Sequence, residues 1–189
     1  YMTAPCIVAL SRSGAPDGSF GTAGSLTIGH LRAPAAEIGI GVDPANNILV
    51  GLGGRPDPAK QGAVIAQSGV VRLTENGAID TSFGSEGVSW LIYENAASPS
   101  FRTSGVQEIL ATTSGALYVV AAEGYSHCSK GCGFQSNLYF VPESGSTPAV
   151  VRSGFQTNAL ALGPGDRVAG SRAAPRYLAV SLWSGSGSP

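Results

Sequence analysis

The residues best suited to chemistry lie in one short segment, His127-Cys128-Ser-Lys-Gly-Cys132. Imidazole and thiolate groups bind zinc, but a structural zinc site takes four ligands and this segment offers at most three. A disulfide between Cys128 and Cys132, closing a short loop in an oxidising compartment, is the favoured interpretation, with free thiols as the alternative. Cys6 is the third cysteine and is left over if the other two pair. We therefore predict no metal site at this segment.

Two aspartates are followed by further oxygen donors, Asp17 in Asp-Gly-Ser and Asp80 in Asp-Thr-Ser. A calcium ion takes six to eight oxygen ligands, and each of these segments supplies a single carboxylate. An aspartate in a turn also accepts a hydrogen bond from its own main chain two residues later. We therefore predict Asx turns at both positions, with calcium binding as the alternative.

Signs of catalysis are weak throughout the chain. There is no Gly-x-Ser-x-Gly segment, and the histidines are His30 and His127. The glycine-rich stretches 21–24 and 51–54 lack the Lys and Ser/Thr of a phosphate loop and are predicted to be turn glycines. We predict no catalytic residue and no cofactor. The carboxylates weighed for acid–base chemistry show no pairing; they are Glu37, Asp43, Glu94, Glu108 and Glu123.

Composition favours many short strands joined by turns. Apolar residues make up 43% of the chain and charged residues only 12%, with 27 glycines and 12 prolines among 189 residues. The net charge of −1 provides no basic face for nucleic acid, and no apolar run reaches the length of a membrane helix. Few charges and abundant small polar residues suggest a secreted or cell-surface bacterial protein. The start at Tyr1, without a signal peptide, suggests a processed or excised segment.

The elements that must position these residues repeat along the chain. The stretch from Val8 to Gly24 matches the stretch from Val71 to Gly87 at nine positions, all shifted by 63 residues. In each copy a Val-x-Leu strand ends in a glycine turn, an aspartate follows three residues later, and a phenylalanine returns to the core. The repeat motif comprises Gly14, Asp17, Phe20 and Gly21 in the first copy and Gly77, Asp80, Phe83 and Gly84 in the second.

A β-hairpin is predicted after each motif, at 38–52, 106–121 and 159–170. The third motif is degenerate, because Pro148 and Val151 stand where the aspartate and phenylalanine are expected. A fourth copy begins at Tyr177. The chain is thus predicted to be a single repeat domain, 1–189, with units at about 6–69, 70–136 and 137–189.

The pattern Leu-x3-Gly-x2-Asp-x2-Phe-Gly-x2-Gly resembles the delta-60 repeat of secreted and surface bacterial proteins. The strand-turn-strand that follows, such as 42–52, is similar to the second half of that repeat. The resemblance implies tandem antiparallel four-stranded blades of about 63 residues, as in a β-propeller, and it implies no shared active site. Closed propellers have four to eight blades. Three arrangements therefore stay open: part of a longer propeller, a ring or stack with other chains, or an open β-fold.

The long segment 122–136 carries the cysteines and is the predicted binding loop, with Tyr125, His127 and Phe134 as candidate contacts. We expect a non-enzymatic, extracytoplasmic module of β-propeller type that binds a protein or glycan partner or takes part in assembly. The alternatives are a structural subunit that polymerises through open strand edges, with 6–10 and 177–182 as candidate edges, and part of a larger propeller enzyme.

Overall fold

A computed structural model describes residues 2–3, 6–28, 33–34, 39–56, 66–91, 101–125, 134–155, 159–174 and 177–183. These ranges hold no α-helix, and they therefore hold no helix with the length and apolar character to span a membrane. A single 3-10 turn, Pro164–Asp166, interrupts the strands. The strands are β1 Met2–Thr3, β2 Cys6–Val8, β3 Ser25–Thr27, β4 Ala33–Pro34, β5 Ile40–Val42, β6 Ile48–Pro56, β7 Ala66–Leu73, β8 Val88–Leu91, β9 Phe101–Ala111, β10 Leu117–Tyr125, β11 Phe134–Val141, β12 Ala149–Phe155, β13 Ala159–Gly163, β14 Arg167–Ala174 and β15 Tyr177–Trp183.

The prediction of an all-β chain with antiparallel four-stranded sheets is confirmed. Strands β5-β6-β7-β8 pair in order and antiparallel, and β9-β10-β11-β12 do the same. A single parallel pairing, between Ala66 and Arg102, joins the two sets. Strands β13-β14-β15 form a separate three-stranded sheet. Strands β2-β3 and β1-β4 form two-stranded sheets. We refer to β2-β3, β5–β8, β9–β12 and β13–β15 as sheets 1 to 4.

The sheets pack face to face, with an apolar layer between each successive pair. Neighbouring residues of one strand point to opposite faces, so the central strands of sheets 2 and 3 are apolar at successive positions. Val70 and Val71 of β7 are both fully buried but belong to different layers. Val119 and Val120 of β10 are divided in the same way.

Each layer draws on two sheets. The first joins Ile7 of sheet 1 to Val50, Leu73 and other residues of sheet 2. The second layer is the largest and joins sheet 2 to sheet 3, with Leu49 and Val106 among its members. The third joins Leu138 of sheet 3 to sheet 4; its other buried members are Tyr118, Val120, Leu160 and Val168. Stacked layers of this kind provide the core of the chain.

The four-stranded sheets are out of phase with the units 6–69, 70–136 and 137–189 taken from the sequence. Sheet 2 runs over 40–91 and sheet 3 over 101–155. Each sheet pairs the hairpin that closes one sequence unit with the strands that open the next. The period also changes along the chain, because the turn glycines Gly77 and Gly145 are 68 residues apart, against 63 between Gly14 and Gly77.

The predicted turn at 51–54 is wrong, since these residues lie inside β6. Gly51 is instead a place where sheets 2 and 3 approach closely. A Cβ at Gly51 would lie 2.5 Å from the Cβ of Val106, well inside van der Waals contact. A glycine within a strand commonly marks such an approach.

Candidate functional site

The two motif copies begin with the same tight turn. Gly14 N–H donates to the carbonyl of Ser11 at 2.9 Å, and Gly77 N–H donates to the carbonyl of Thr74 at the same distance. Both glycines have left-handed backbones, with φ of 83° at Gly14 and 87° at Gly77. Only glycine adopts this conformation without a steric cost, which explains why the turn requires it.

The aspartates form Asx turns in which the side chain holds the chain two residues on. In the first copy, the main-chain N–H and the hydroxyl of Ser19 donate to Asp17 Oδ1 at 3.0 and 2.6 Å. In the second copy, Ser82 donates to Asp80 Oδ1 at the same two distances. The carboxylates therefore shape the turn before the phenylalanine.

These hydrogen bonds also change the titration of the carboxyl groups. The hydroxyl of Ser19, followed by its main-chain N–H, lowers the pKa of Asp17, because both stabilise the charged form. The hydroxyl of Ser82 is the main cause that lowers the pKa of Asp80, and the main-chain N–H of Ser82 and the guanidinium of Arg72 add to it against an opposing effect of burial. The folded turns thus stabilise the charged form of both groups.

The phenylalanine of each motif is fully inside. Phe20 is 1% exposed and Phe83 is 0% exposed. The glycine that follows each ring has a positive φ, 54° at Gly21 and 58° at Gly84. At Gly84 an added Cβ would lie 2.2 Å from the carbonyl oxygen of Val88, so no larger residue fits the return of the chain into the next strand.

Each phenylalanine packs against the glycine turn of the following copy. A Cβ added at Gly77 would lie 3.0 Å from Cε2 of Phe20, and one added at Gly145 would lie 2.7 Å from Cδ2 of Phe83. The main chain repeats this contact. Gly21 N–H donates to the carbonyl of Asn76 at 2.9 Å.

The second junction has the same main-chain bond, from Gly84 N–H to the carbonyl of Ser144 at 2.8 Å. A Phe-Gly pair from one copy thus docks twice onto a turn of the next copy, with the same ring contact and the same hydrogen bond. We call this arrangement the Phe-Gly junction. It occurs twice between successive units in the described part of the chain.

Arg72 is a member of the second junction that the sequence did not single out. Its Nε donates to Asp80 Oδ2 at 2.8 Å, and its guanidinium carbon lies 4.6 Å from the centre of the Phe83 ring. Its Nη1 also donates to the carbonyl of Glu143 at 3.0 Å, which lies in the turn of the next copy. One cation therefore connects the aspartate, the ring and the turn that receives it.

No signal in the sequence could have identified Arg72. It stands between Val71 and Leu73, where strand alternation predicts a solvent-facing residue. The first copy has Ala9 at the same position, so the repeat does not show it either.

The degenerate third copy has a different course. Gly145 keeps its turn with φ of 69°, but strand β12 begins at Ala149, four residues later, and no Asx turn precedes it. Val151 takes a half-buried place against the third apolar layer. With neither the aspartate nor the phenylalanine, the chain enters its strand directly.

Other described carboxylates also bind main-chain groups. Asp43 Oδ1 accepts from the N–H groups of Ala45 and Asn47, at 2.9 and 2.8 Å. Asp166 accepts from the N–H and hydroxyl of Thr113, which links the turns of sheets 3 and 4.

Glu108 Oε2 accepts from Leu160 N–H at 2.9 Å across the third layer, and burial raises the pKa of its carboxyl group. No group of three or more His, Cys, Asp or Glu side chains that could hold a metal occurs among the residues that the structure describes.

The predicted binding loop falls mostly outside the described residues. This applies to His127, Cys128 and Cys132, so their proposed disulfide and contacts stay predictions. The predicted loop 122–136 is too long at both ends, since β10 continues to Tyr125 and β11 begins at Phe134. His30 also lies outside the described residues.

Cys6 is exposed with a free thiol. It lies on β2, where it pairs with Thr27 of β3.

The fold and the site together define an all-β chain of stacked antiparallel sheets joined by Phe-Gly junctions. Comparison with protein-family models, with curated proteins and with solved structures found no match in any of the three.

Proposed function

We propose that this chain is a non-enzymatic, extracytoplasmic binding or assembly module of β-propeller type, as its resemblance to the delta-60 repeat implies. The observation that carries the proposal is the Phe-Gly junction, which joins successive sheets twice with the same geometry. A contact that repeats from unit to unit suits a scaffold that grows by adding equivalent sheets.

The use of the polar side chains supports a scaffold. Asp17, Asp43 and Asp80 accept hydrogen bonds from the turns in which they lie. Glu108 and Asp166 bind main-chain groups of a neighbouring sheet or turn. A general acid or base needs a free position beside a substrate, whereas these carboxylates hold the architecture.

Binding is assigned to the ends of the hairpins. Sheets 2 and 3 are covered on both faces by apolar layers, so their loops are the parts that can vary without disturbing the core. The segment 126–133 is the part of the chain that follows β10 and precedes β11. We propose that it contacts a protein or glycan partner, with Tyr125 and Phe134 as the candidate residues for stacking.

A second function is favoured by exposed apolar side chains on edge strands. Ile40 and Val42 of β5 are each 60% exposed, and Val150 of β12 is 42% exposed. Both strands are edges of their sheets. Because such edges can pair with another chain, polymerisation through them is the alternative.

Solution mass separates the two functions. We expect sedimentation across a wide concentration range to give a single species near 19.0 kDa. The alternative predicts a series of oligomers whose masses increase with concentration. If such a series is seen, and if it disappears in the double variant Ile40→Lys, Val42→Lys, the polymerising subunit is the correct function.

Binding itself is tested on an array of defined oligosaccharides. We expect retention of at least one sugar class, reduced at least tenfold in the variant Tyr125→Ala, Phe134→Ala, with Val150→Ala as the matched surface control. Hydrolysis of any sugar on the array would contradict a non-enzymatic module. Retention that survives in the double variant would move the binding site away from this loop.

A further inference from the structure

The first hairpin leaves open a face that both later copies bury. Val71 and Leu73 of sheet 2 are 0% exposed, and both pack in the layer that contains Phe20. Their counterparts 63 residues earlier are Val8, which is 57% exposed, and Leu10, which is 61% exposed. Side chains of the same type and at the same position thus differ in burial, and the buried pair shares its layer with the phenylalanine of a preceding motif.

Sheet 3 repeats the buried arrangement. Tyr139 and Val141 stand 68 residues after Val71 and Leu73, are 1% and 0% exposed, and share a layer with Phe83. In both cases where a preceding motif exists, this pair of positions is buried in the same layer as its ring.

The glycine turn shows the same contrast. Gly77 and Gly145 are buried beneath Phe20 and Phe83. A Cβ added at Gly14 meets no heavy atom within 4 Å. The turn itself is formed, because its hydrogen bond and its φ match those of Gly77. The receiving half of a Phe-Gly junction is therefore present at Gly14 without a ring upon it.

The main-chain acceptor of a junction is also in place. The carbonyls that accept from the docking glycine belong to Asn76 and Ser144, the residues immediately before the two turn glycines. Ser13 occupies this position in the first copy and is exposed. Its carbonyl is the counterpart acceptor for an incoming glycine N–H.

We propose that Val8, Leu10, Ser13 and Gly14, which we call the open receiver, bind an Asp-x2-Phe-Gly segment supplied by polypeptide outside residues 1–189. The ring would cover Val8 and Leu10, and the following glycine would donate to the carbonyl of Ser13. This inference rests on the proposed modular function and names the chemistry of one partner of that module.

A second copy of this chain is a poorer occupant. Its own Phe20 and Phe83 are already buried against its own turns. Its third motif has Val151 in place of the phenylalanine. Each ring would have to leave an internal junction before it could serve another molecule.

The test is a titration of the full 189-residue chain with a synthetic peptide of residues 78–91, which carries Asp80, Phe83 and Gly84. Two-dimensional NMR should show saturable shifts of the Gly14 amide and of the Val8 and Leu10 methyl groups. A peptide with Phe83→Ala should bind at least tenfold more weakly, because the ring provides the buried contact. The chain variant Leu10→Glu should weaken binding by a similar factor, whereas Val150→Glu, an exposed edge control, should not.

A second measurement covers the case in which a short peptide is too disordered to dock. A tandem protein with an extra copy of residues 6–68 ahead of Cys6 presents the duplicated Phe20 to the original turn. Hydrogen exchange of the original Gly14 turn should slow at least tenfold, and Phe20→Ala in the added copy alone should reverse the effect.

Three results would overturn the open receiver: equal binding of the Phe83→Ala peptide, shifts elsewhere than around Gly14, or no added protection in the tandem protein. Self-association of the unmodified chain through Val8 and Leu10, abolished by Leu10→Glu, would assign the face to a second copy instead. None of these four outcomes changes the result of the oligosaccharide array, so the proposed binding by segment 126–133 is tested separately.

Discussion

The two complete copies of the motif have the same backbone in different surroundings. Their turns, Asx hydrogen bonds and left-handed glycines agree closely, and even the non-glycine residues with positive φ, Ala23 and Glu86, correspond. The second copy, however, has Arg72 over its ring and against its aspartate, where the first has Ala9. The motif thus sets the path of the chain, while residues outside the motif set the strength of each junction.

The contrast extends to what each copy receives. The turn at Gly77 is covered by Phe20, whereas the turn at Gly14 is bare. Both turns have the same internal hydrogen bond. A receiving turn in this chain therefore does not need its ring in order to form, which makes the junction a docking contact between preformed parts.

The largest expected effect comes from truncating the rings. Phe83→Ala should lower the free energy of unfolding by about 3–5 kcal/mol, because it removes a fully buried ring from a packed layer. Phe20→Ala should cost less, since its ring lacks the arginine contact and belongs to a hairpin of only two described strands. Urea denaturation followed by tryptophan fluorescence measures both. Equal costs would show that Arg72 does not strengthen the second junction.

Substituting alanine for the turn glycines should destabilise a turn that is covered by a phenylalanine more than the uncovered turn at Gly14. Gly145→Ala should cost about 2–4 kcal/mol, combining a left-handed alanine with a Cβ placed 2.6 Å from the N atom of Gly84. Gly14→Ala has the same backbone cost without the clash, so about 1 kcal/mol is expected. Thermal and urea unfolding of the two variants provide the comparison. A loss at Gly14 as large as that at Gly145 would mean that the first turn is already occupied.

The sequence predicted the hairpins and the turns because these depend on local chemistry. A glycine with positive φ, or an aspartate that binds its own main chain, leaves a pattern within a few residues. The alternation Val-x-Leu predicted strands for the same reason.

What the sequence could not predict depends on partners distant along the chain. The sequence predicts a turn at Gly51, yet this residue lies in a strand, where the close approach of Val106 of the next sheet leaves no room for a side chain. Arg72 looked like a surface residue because Asp80, Phe83 and Glu143 meet it only after folding. The change of period from 63 to 68 residues also concealed that Gly145 receives a ring.

Removing the arginine tests its place in the second junction directly. Arg72→Met keeps most of the apolar stem but removes the ion pair, the bond to Glu143 and the contact with the ring. We expect a loss of about 1–2 kcal/mol, above the usual value for an exposed ion pair because the arginine side chain is only 13% exposed. Arg12→Met is the matched control on an exposed turn and should change stability by less than about 0.5 kcal/mol. If the two substitutions lower the free energy of unfolding equally, Arg72 does not stabilise the second junction.

The smallest effect concerns the pKa values of the two aspartates. Ser19→Ala and Ser82→Ala each remove the hydroxyl that lowers the pKa of Asp17 or Asp80, so both values should rise. The further substitution Arg72→Met in the Ser82→Ala variant should raise the pKa of Asp80 again, because the guanidinium also lowers it. A carboxylate with a lowered folded pKa contributes stability above its unfolded pKa and loses it as the pH falls through the folded pKa, so both variants should lose less stability in acid than the parent chain. Carbon-detected NMR titration of the side-chain carboxyl groups gives the pKa values, and an unchanged pKa of Asp80 on loss of Arg72 would show that the arginine does not stabilise this carboxylate.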